Sequence, residues 1–161
     1  YSKVLGGGSL LDVGVYPIKI SQIFMGQNIT IADASLFYDQ DRGIDIWGGA
    51  YIKQINGSMF SQISFGFDNF YQCNLEIWGS QGKVLAERIF TSPPKSIAKI
   101  ILETEKNKKI IEIDSFNHFE SILLYFYKSI NKNHKFEYDE YKKNINQARL
   151  ISELRTKANQ K

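Results

Sequence analysis

The chain has 161 residues, of which 43% are hydrophobic and 23% charged, a globular composition that excludes a disordered chain and allows one sizeable core. Its net charge of +3 is unevenly placed: residues 1–94 carry six Lys/Arg and eight Asp/Glu, residues 95–161 fourteen and nine. The excess falls on turn and helix-surface positions such as Lys106, Lys108, Lys109, Lys142 and Lys143, with no recognition motif beside them, so nucleic acid is excluded as a partner.

In chain order, Leu10, Leu11, Val13, Val15, Ile18, Ile20, Ile23, Phe24 and Met25 lie between a glycine triplet and Gly26. They predict a buried helix from about Gly8 to Met25, with Gly26 as its stop. Gly14 and Pro17 are poor helix-interior residues; Pro17 should bend the helix or free the Val13 carbonyl. From Asn28 to Asp114 the pattern changes to strand period. It opens with Ile29, Ile31, Ala34, Leu36 and Tyr38, then runs from Ile44 to Ile55. The Asn56-Gly57 pair signals a hairpin into Met59–Phe67. Tyr71–Trp78, Lys83–Arg88, Ile97–Glu103 and Ile110–Ile113 follow, giving about seven strands joined mostly by short turns.

In the third of these runs Met59, Ser61, Ile63, Phe65 and Phe67 share one face, and Phe60, Gln62, Ser64 and Gly66 the other. Beyond Ser115 the helical period returns in Phe116, Phe119, Ile122, Leu123, Phe126, Tyr127 and Ile130. A last helix should start near Tyr138 and run past Leu154 into a polar, fraying tail. The order predicts an α+β domain: a largely antiparallel open sheet with helices packed on one face. The 14% aromatic content, eleven Phe and nine Tyr, suits the strands. No apolar run approaches the ~20 residues of a membrane helix, and nothing resembles a signal peptide. Cys73, the only cysteine, fits a reducing compartment, and a cytoplasmic protein is expected. Opening at Tyr1 without Met, just before a buried helix, the chain reads as a fragment.

Asp12 and Tyr16, four residues apart, would share a helix face and form a polar corner next to Gly14, where a ligand could approach closely. Spacing alone leaves another reading open: Asp12 bonding locally near the helix start, and Tyr16 a core aromatic with a wet hydroxyl. Gly6-Gly7-Gly8 is not a dinucleotide-binding loop, because the spacing differs from Gly-x-Gly-x-x-Gly and no strand precedes it.

The stretch Gly6-Gly7-Gly8-Ser9-Leu10-Leu11-Asp12-Val13-Gly14-Val15-Tyr16-Pro17 resembles the opening of the second domain in the glucose–fructose oxidoreductase, inositol dehydrogenase and MocA family. There a glycine run and an apolar pair precede Asp, one residue, Gly, one residue, then His or Tyr. Leu75-Glu76-Ile77-Trp78-Gly79-Ser80-Gln81-Gly82 resembles the family's strand ending in Gly-Ser-x-Gly. Asn146-Gln147-Ala148-Arg149-Leu150 resembles its terminal helix. Tyr at position 16, with Phe90-Thr91-Ser92-Pro93-Pro94 after the Gly-Ser-Gln-Gly strand, looks most like the nucleotide-sugar 3-ketoreductases.

The resemblance implies the C-terminal, glyceraldehyde-3-phosphate-dehydrogenase-like domain of a two-domain enzyme, one substrate-binding and oligomerisation domain over residues 1–161. The Rossmann domain that binds NAD or NADP, and the family's catalytic Lys in a Glu-Lys-Pro motif, are absent from this chain and should lie upstream. The implied reaction is hydride transfer at a carbinol or ketone carbon of a sugar or nucleotide-sugar. Tyr16 would be the acid or base, made more acidic by nearby positive charge, and Asp12 would orient it or accept bonds from sugar hydroxyls. The chain alone would be inactive and would not bind the cofactor. Family members pair through the sheet, so a homodimer or tetramer is expected; the competing reading is a non-catalytic assembly module.

Arg88 precedes the Phe90–Pro94 loop and could meet a substrate diphosphate or a sheet-edge carboxylate. His118 and His134 lack partners at metal spacing, so no metal is expected. Trp47, Trp78 and Tyr71 read as packing residues, and Cys73 as inert.

Overall fold

A computed structural model of the chain describes residues 2–88, 90, 93, 96–131 and 138–160. They fall into two compact units, Tyr1–Asn69 with Glu137–Lys161, and Phe70–Phe136.

The first unit holds a three-stranded antiparallel sheet in the order β1 (Ile29–Asp39), β2 (Ile44–Gln54), β3 (Phe60–Gly66). Two helices, α1 (Val15–Met25) and α3 (Tyr138–Ala158), cover one face of it. The apolar residues of that face, Ile29, Ile31, Ala34, Ile52, Ile63 and Phe65, form one core with Leu10, Ile18 and Met25 on one side and Leu150 and Leu154 on the other. Each such side chain taken fully out of water contributes about 1.5–3 kcal/mol. α3 is also tied by polar bonds to β1 and the turn before it: Arg149 Nη2 donates to the Ile29 carbonyl at 2.6 Å, and Asn146 Nδ2 to that of Gln27 at 3.0 Å.

The alternation read in β3 is correct, with Ile63 and Phe65 buried and Phe60, Gln62 and Ser64 exposed. In β1 the core positions step from Ile31 to Ala34, and the pairing with β2 shifts register between Ile31 and Asp33. That bulge is the reason for the change of phase. The hairpin after β2 is present but wide, spanning Ile55–Met59. Gly57 does not take the left-handed conformation of a two-residue turn; it makes room for Gln54, whose Nε2 donates to the Met25 carbonyl at 2.8 Å. At the β1–β2 turn the backbone N–H groups of Asp41 and Arg42 donate to Asp39 Oδ1 at 2.9 and 3.0 Å. The Arg42 bond and guanidinium hold the Asp39 carboxyl below its ordinary range.

The second unit is a four-stranded antiparallel meander: β4 (Leu75–Gly79), β5 (Gly82–Ala86), β6 (Ala98–Thr104) and β7 (Lys108–Ile113), followed by α2 (His118–Asn131). Gly79 pairs with Gly82 across Ser80-Gln81. A Cβ on Gly82 would collide with the Glu103 carbonyl, so this glycine lets β6 approach β5.

The α+β class and the largely antiparallel pairing are as expected, and the seven strands of the described residues are divided as three in the first unit and four in the second. β3 ends at Gly66 and the chain turns through Asp68-Asn69, both poor strand residues, so no ladder forms until Leu75. Tyr71 and Cys73 therefore precede β4 instead of lying in it. On α2 the apolar residues Phe119, Ile122, Leu123 and Phe126 are more than half exposed. Among the described residues no helix is long and apolar enough to cross a membrane.

Candidate active site

The chain enters α1 through three glycines, one required by its backbone conformation, one by a neighbouring group and one by both. Gly6 is left-handed (φ 73°), and a Cβ on Gly7 would come within 2.7 Å of the Ser2 carbonyl oxygen. Gly8 has φ 143°, and a Cβ there would collide with Asp45 Oδ1. Asp45 lies on β2 and is 6% exposed. Its Oδ2 accepts the Ser9 hydroxyl at 2.9 Å and the Leu10 N–H at 2.6 Å. This carboxylate thus satisfies the first unpaired donors of the helix.

Residues Leu10–Gly14 form a π turn that runs straight into α1. Pro17 has no N–H to give to the preceding turn, and a widened turn just before it is the accommodation. Past the junction Ser21 Oγ bonds the Pro17 carbonyl at 2.9 Å and Ser61 Oγ at 3.0 Å. Gln147 Nε2, from α3, donates to the Val15 carbonyl at 2.8 Å. Gly14 is buried: a Cβ would stand 3.1 Å from the Phe65 ring and from Leu10 Cδ1. The expectation that Gly14 opens space for a ligand is corrected; it lets the helix approach β3.

The structure brings Asp12 and Tyr16 within a turn of each other on this helix, and both are exposed, Tyr16 by 48%. Tyr16 is therefore not a core aromatic. Asp12 is not the local cap either, because that task belongs to Asp45; the Asp12 backbone N–H donates to the Gly8 carbonyl at 3.2 Å. Because Asp12 sits in a π turn, the α-helical spacing that set the two residues on one face does not apply unchanged. Asp45 was missed in the sequence. The available signal was a carboxylate between Ile44 and Ile46 in a strand, which when buried must have donors.

Arg88 is in the second unit. It has φ 54°, and its guanidinium lies over the Tyr71 ring, 5.4 Å from the centroid, a cation–π contact. Among the described residues it makes no ion pair, so the sheet-edge carboxylate is not its partner. Of the Phe90–Pro94 loop only Phe90 and Pro93 lie within the described residues; the Phe90 N–H donates to Cys73 Sγ at 3.3 Å. Trp78 is 80% exposed, its Nε1 donating to Glu76 Oε1 at 2.7 Å, and Trp47 stacks on Phe37 at 5.2 Å. Neither is a core packing residue. His118 lies against Phe119, and among the described residues no group of His, Cys, Asp and Glu could hold a metal ion; His134 lies outside them.

No protein-family model matches the chain. It is 30% identical over 159 residues, 98% of its length, to the dTDP-3,4-didehydro-2,6-dideoxy-alpha-D-glucose 3-reductase of Actinomadura kijaniata, and covers 47% of that protein. It is 36% identical over 103 residues, 64% of its length, to the enzyme of the same name from Saccharopolyspora spinosa, covering 31% of it. The structure overlays that of a 3-ketoreductase from Actinomadura kijaniata, crystallised with TDP-benzene and NADP, with a TM-score of 0.88 and 26% identity, over 94% of this chain and 47% of that one. The chain thus spans about half the length, or less, of the curated relatives it matches. It is a homologue of the dTDP-sugar 3-reductases, and its structural neighbours are oxidoreductases of the glucose–fructose oxidoreductase, inositol dehydrogenase and MocA type.

Proposed function

We propose that this chain is the substrate-binding half of a cytoplasmic, NADP-dependent reductase acting on a ketone of a nucleotide-linked sugar. The observation that carries the reading is the match of nearly the whole chain to half of a sugar 3-reductase. The cofactor is assigned to a Rossmann half outside this chain. Gly6-Gly7-Gly8 does not suit its phosphates, because the space at Gly7 is filled by the Ser2 backbone and that at Gly8 by a carboxylate, Asp45, that would repel an anion.

This half contributes proton transfer and hydrogen bonds. As a ketone carbon is reduced, its oxygen gains negative charge and needs a proton. The hydroxyl of Tyr16, a half-exposed residue at the start of α1, donates it. Asp12, exposed one turn earlier, accepts hydrogen bonds from sugar hydroxyls, which a charged acceptor strengthens. This chemistry does not draw on Arg88.

The test is single-turnover reduction by the complete two-domain enzyme, followed by nicotinamide absorbance so that product release does not mask the step. Tyr16→Phe should lower the rate about a hundredfold or more, the scale of a lost general acid. Asp12→Asn, which keeps one acceptor oxygen, should be milder. Melting should be unchanged in both, since neither side chain is in the core. A wild-type rate for Tyr16→Phe would remove Tyr16 as the acid.

A further inference from the structure

We infer that Asp45 is a positioning residue for this chemistry, holding the π turn that sets Asp12 and Tyr16 in register; the inference rests on the reading of Tyr16 above. Asp45 is buried on β2, and one oxygen of its carboxylate takes both the Ser9 hydroxyl and the Leu10 N–H. A charged acceptor in that place is strong, and a buried one has no water to replace it. The glycine at position 8 is part of the same device, because any side chain there would push the carboxylate away.

What the anchor controls follows from helix geometry. A π turn holds one residue more than an α turn, and each residue of an α-helix advances about 100° around the axis. If Leu10–Gly14 relaxed to α geometry, Asp12 would swing by about that angle relative to Tyr16. Downstream the helix cannot yield, because Gly14 is seated on Phe65 and the Val15 carbonyl is held by Gln147. Upstream, Asp45 is the buried anchor. Loss of its two bonds frees the turn to rewind from its front end, displacing Asp12 and loosening Tyr16 while the sheet and α3 remain in place.

The experiment is a double-mutant cycle in the complete enzyme: Asp45→Ala, Tyr16→Phe and the two together, by single-turnover reduction. Asp45→Ala should slow wild-type about tenfold or more, a scale reached by small misplacements of reacting groups. In the Tyr16→Phe background the same change should cost clearly less, because the share of the loss that acts through the Tyr16 hydroxyl is already gone and only the share through Asp12 remains. Asp45→Asn, which keeps an acceptor oxygen, should recover most of the rate. If Asp45→Ala does not fold, Ser9→Ala, which deletes one hydroxyl, should show the same loss of effect in the Tyr16→Phe background. Equal slowing in both backgrounds overturns the inference and leaves Tyr16 as the acid. A wild-type rate for Tyr16→Phe alone instead overturns the functional reading, and the inference with it.

Discussion

A glycine run ahead of a helix suggests a phosphate cradle, yet here each glycine answers to its own chain. Gly8 and Gly26 separate the two reasons a glycine is needed. Gly26, at the end of α1, has φ 84° with open space around it, so Ala there meets conformational strain alone. Gly8 has φ 143° and a carboxylate in the way. Gly8→Ala should therefore destabilise by about 1–3 kcal/mol, more than Gly26→Ala at about 1 kcal/mol. Thermal melts of the two variants make the comparison; equal shifts would mean that Asp45 moves aside without cost. That the glycine run is not a dinucleotide-binding loop was legible in the sequence, but what requires its glycines was not. Asp45 stands 35 positions beyond Leu10, and only the path of β2 brings its carboxylate beneath the helix. For the same reason Asp12 could be read as a local cap when the cap comes from a strand.

Periodicity located α2 and α3 correctly along the chain but gave no information on what covers them. Leu150 and Leu154 of α3 are fully buried against β1 and α1, whereas Ile122 and Leu123 of α2 are 62% and 68% exposed. Leu150→Ala should cost about 2–5 kcal/mol through the lost contacts and the cavity left behind. Ile122→Ser should fall within about 0.5 kcal/mol, as for a surface site. Denaturant melts of the chain with each substitution test the pair, and a large effect at Ile122 would show that its stripe is covered after all. Strand positions were legible because alternation is a local property, whereas the bulge between Ile31 and Asp33 emerged only in the pairing with β2. The division of the strands between two units was not legible, because which strands pair is a tertiary property that alternation does not carry.

At the scale of the molecule, the helix-free face of the first sheet carries exposed aromatic side chains among the described residues. Phe37, Trp47, Tyr51 and Phe60 stand on it, 49%, 44%, 37% and 59% exposed, in two ring pairs with centroids 5.2 and 5.5 Å apart. Ser35, Gln62 and Ser64 lie among them, and Lys53 pairs with Phe60 across the strands. Aromatic side chains each bury about 150–250 Å², so the exposed parts of these four amount to on the order of 400 Å². That is near the upper range for a monomer's apolar patch, and about half of the ~800 Å² per partner of a standard interface. The polar residues between the rings supply the rest. An antiparallel sheet face can meet its own copy about a twofold axis, each ring pair facing its equivalent. We therefore expect the chain to self-associate through this face. In sedimentation at about 100 µM, a concentration at which a contact of micromolar affinity is saturated, the wild type should run as a dimer or larger. Trp47→Glu should shift it toward monomer, because two copies of the charge would have to be buried at the contact. Trp47 is nearly half exposed and its substitution leaves the core on the opposite face intact, so far-ultraviolet circular dichroism should not change. A strict monomer for the wild type at that concentration would rule out the copy as the cover, and an unchanged dimer in Trp47→Glu would move the contact to another surface.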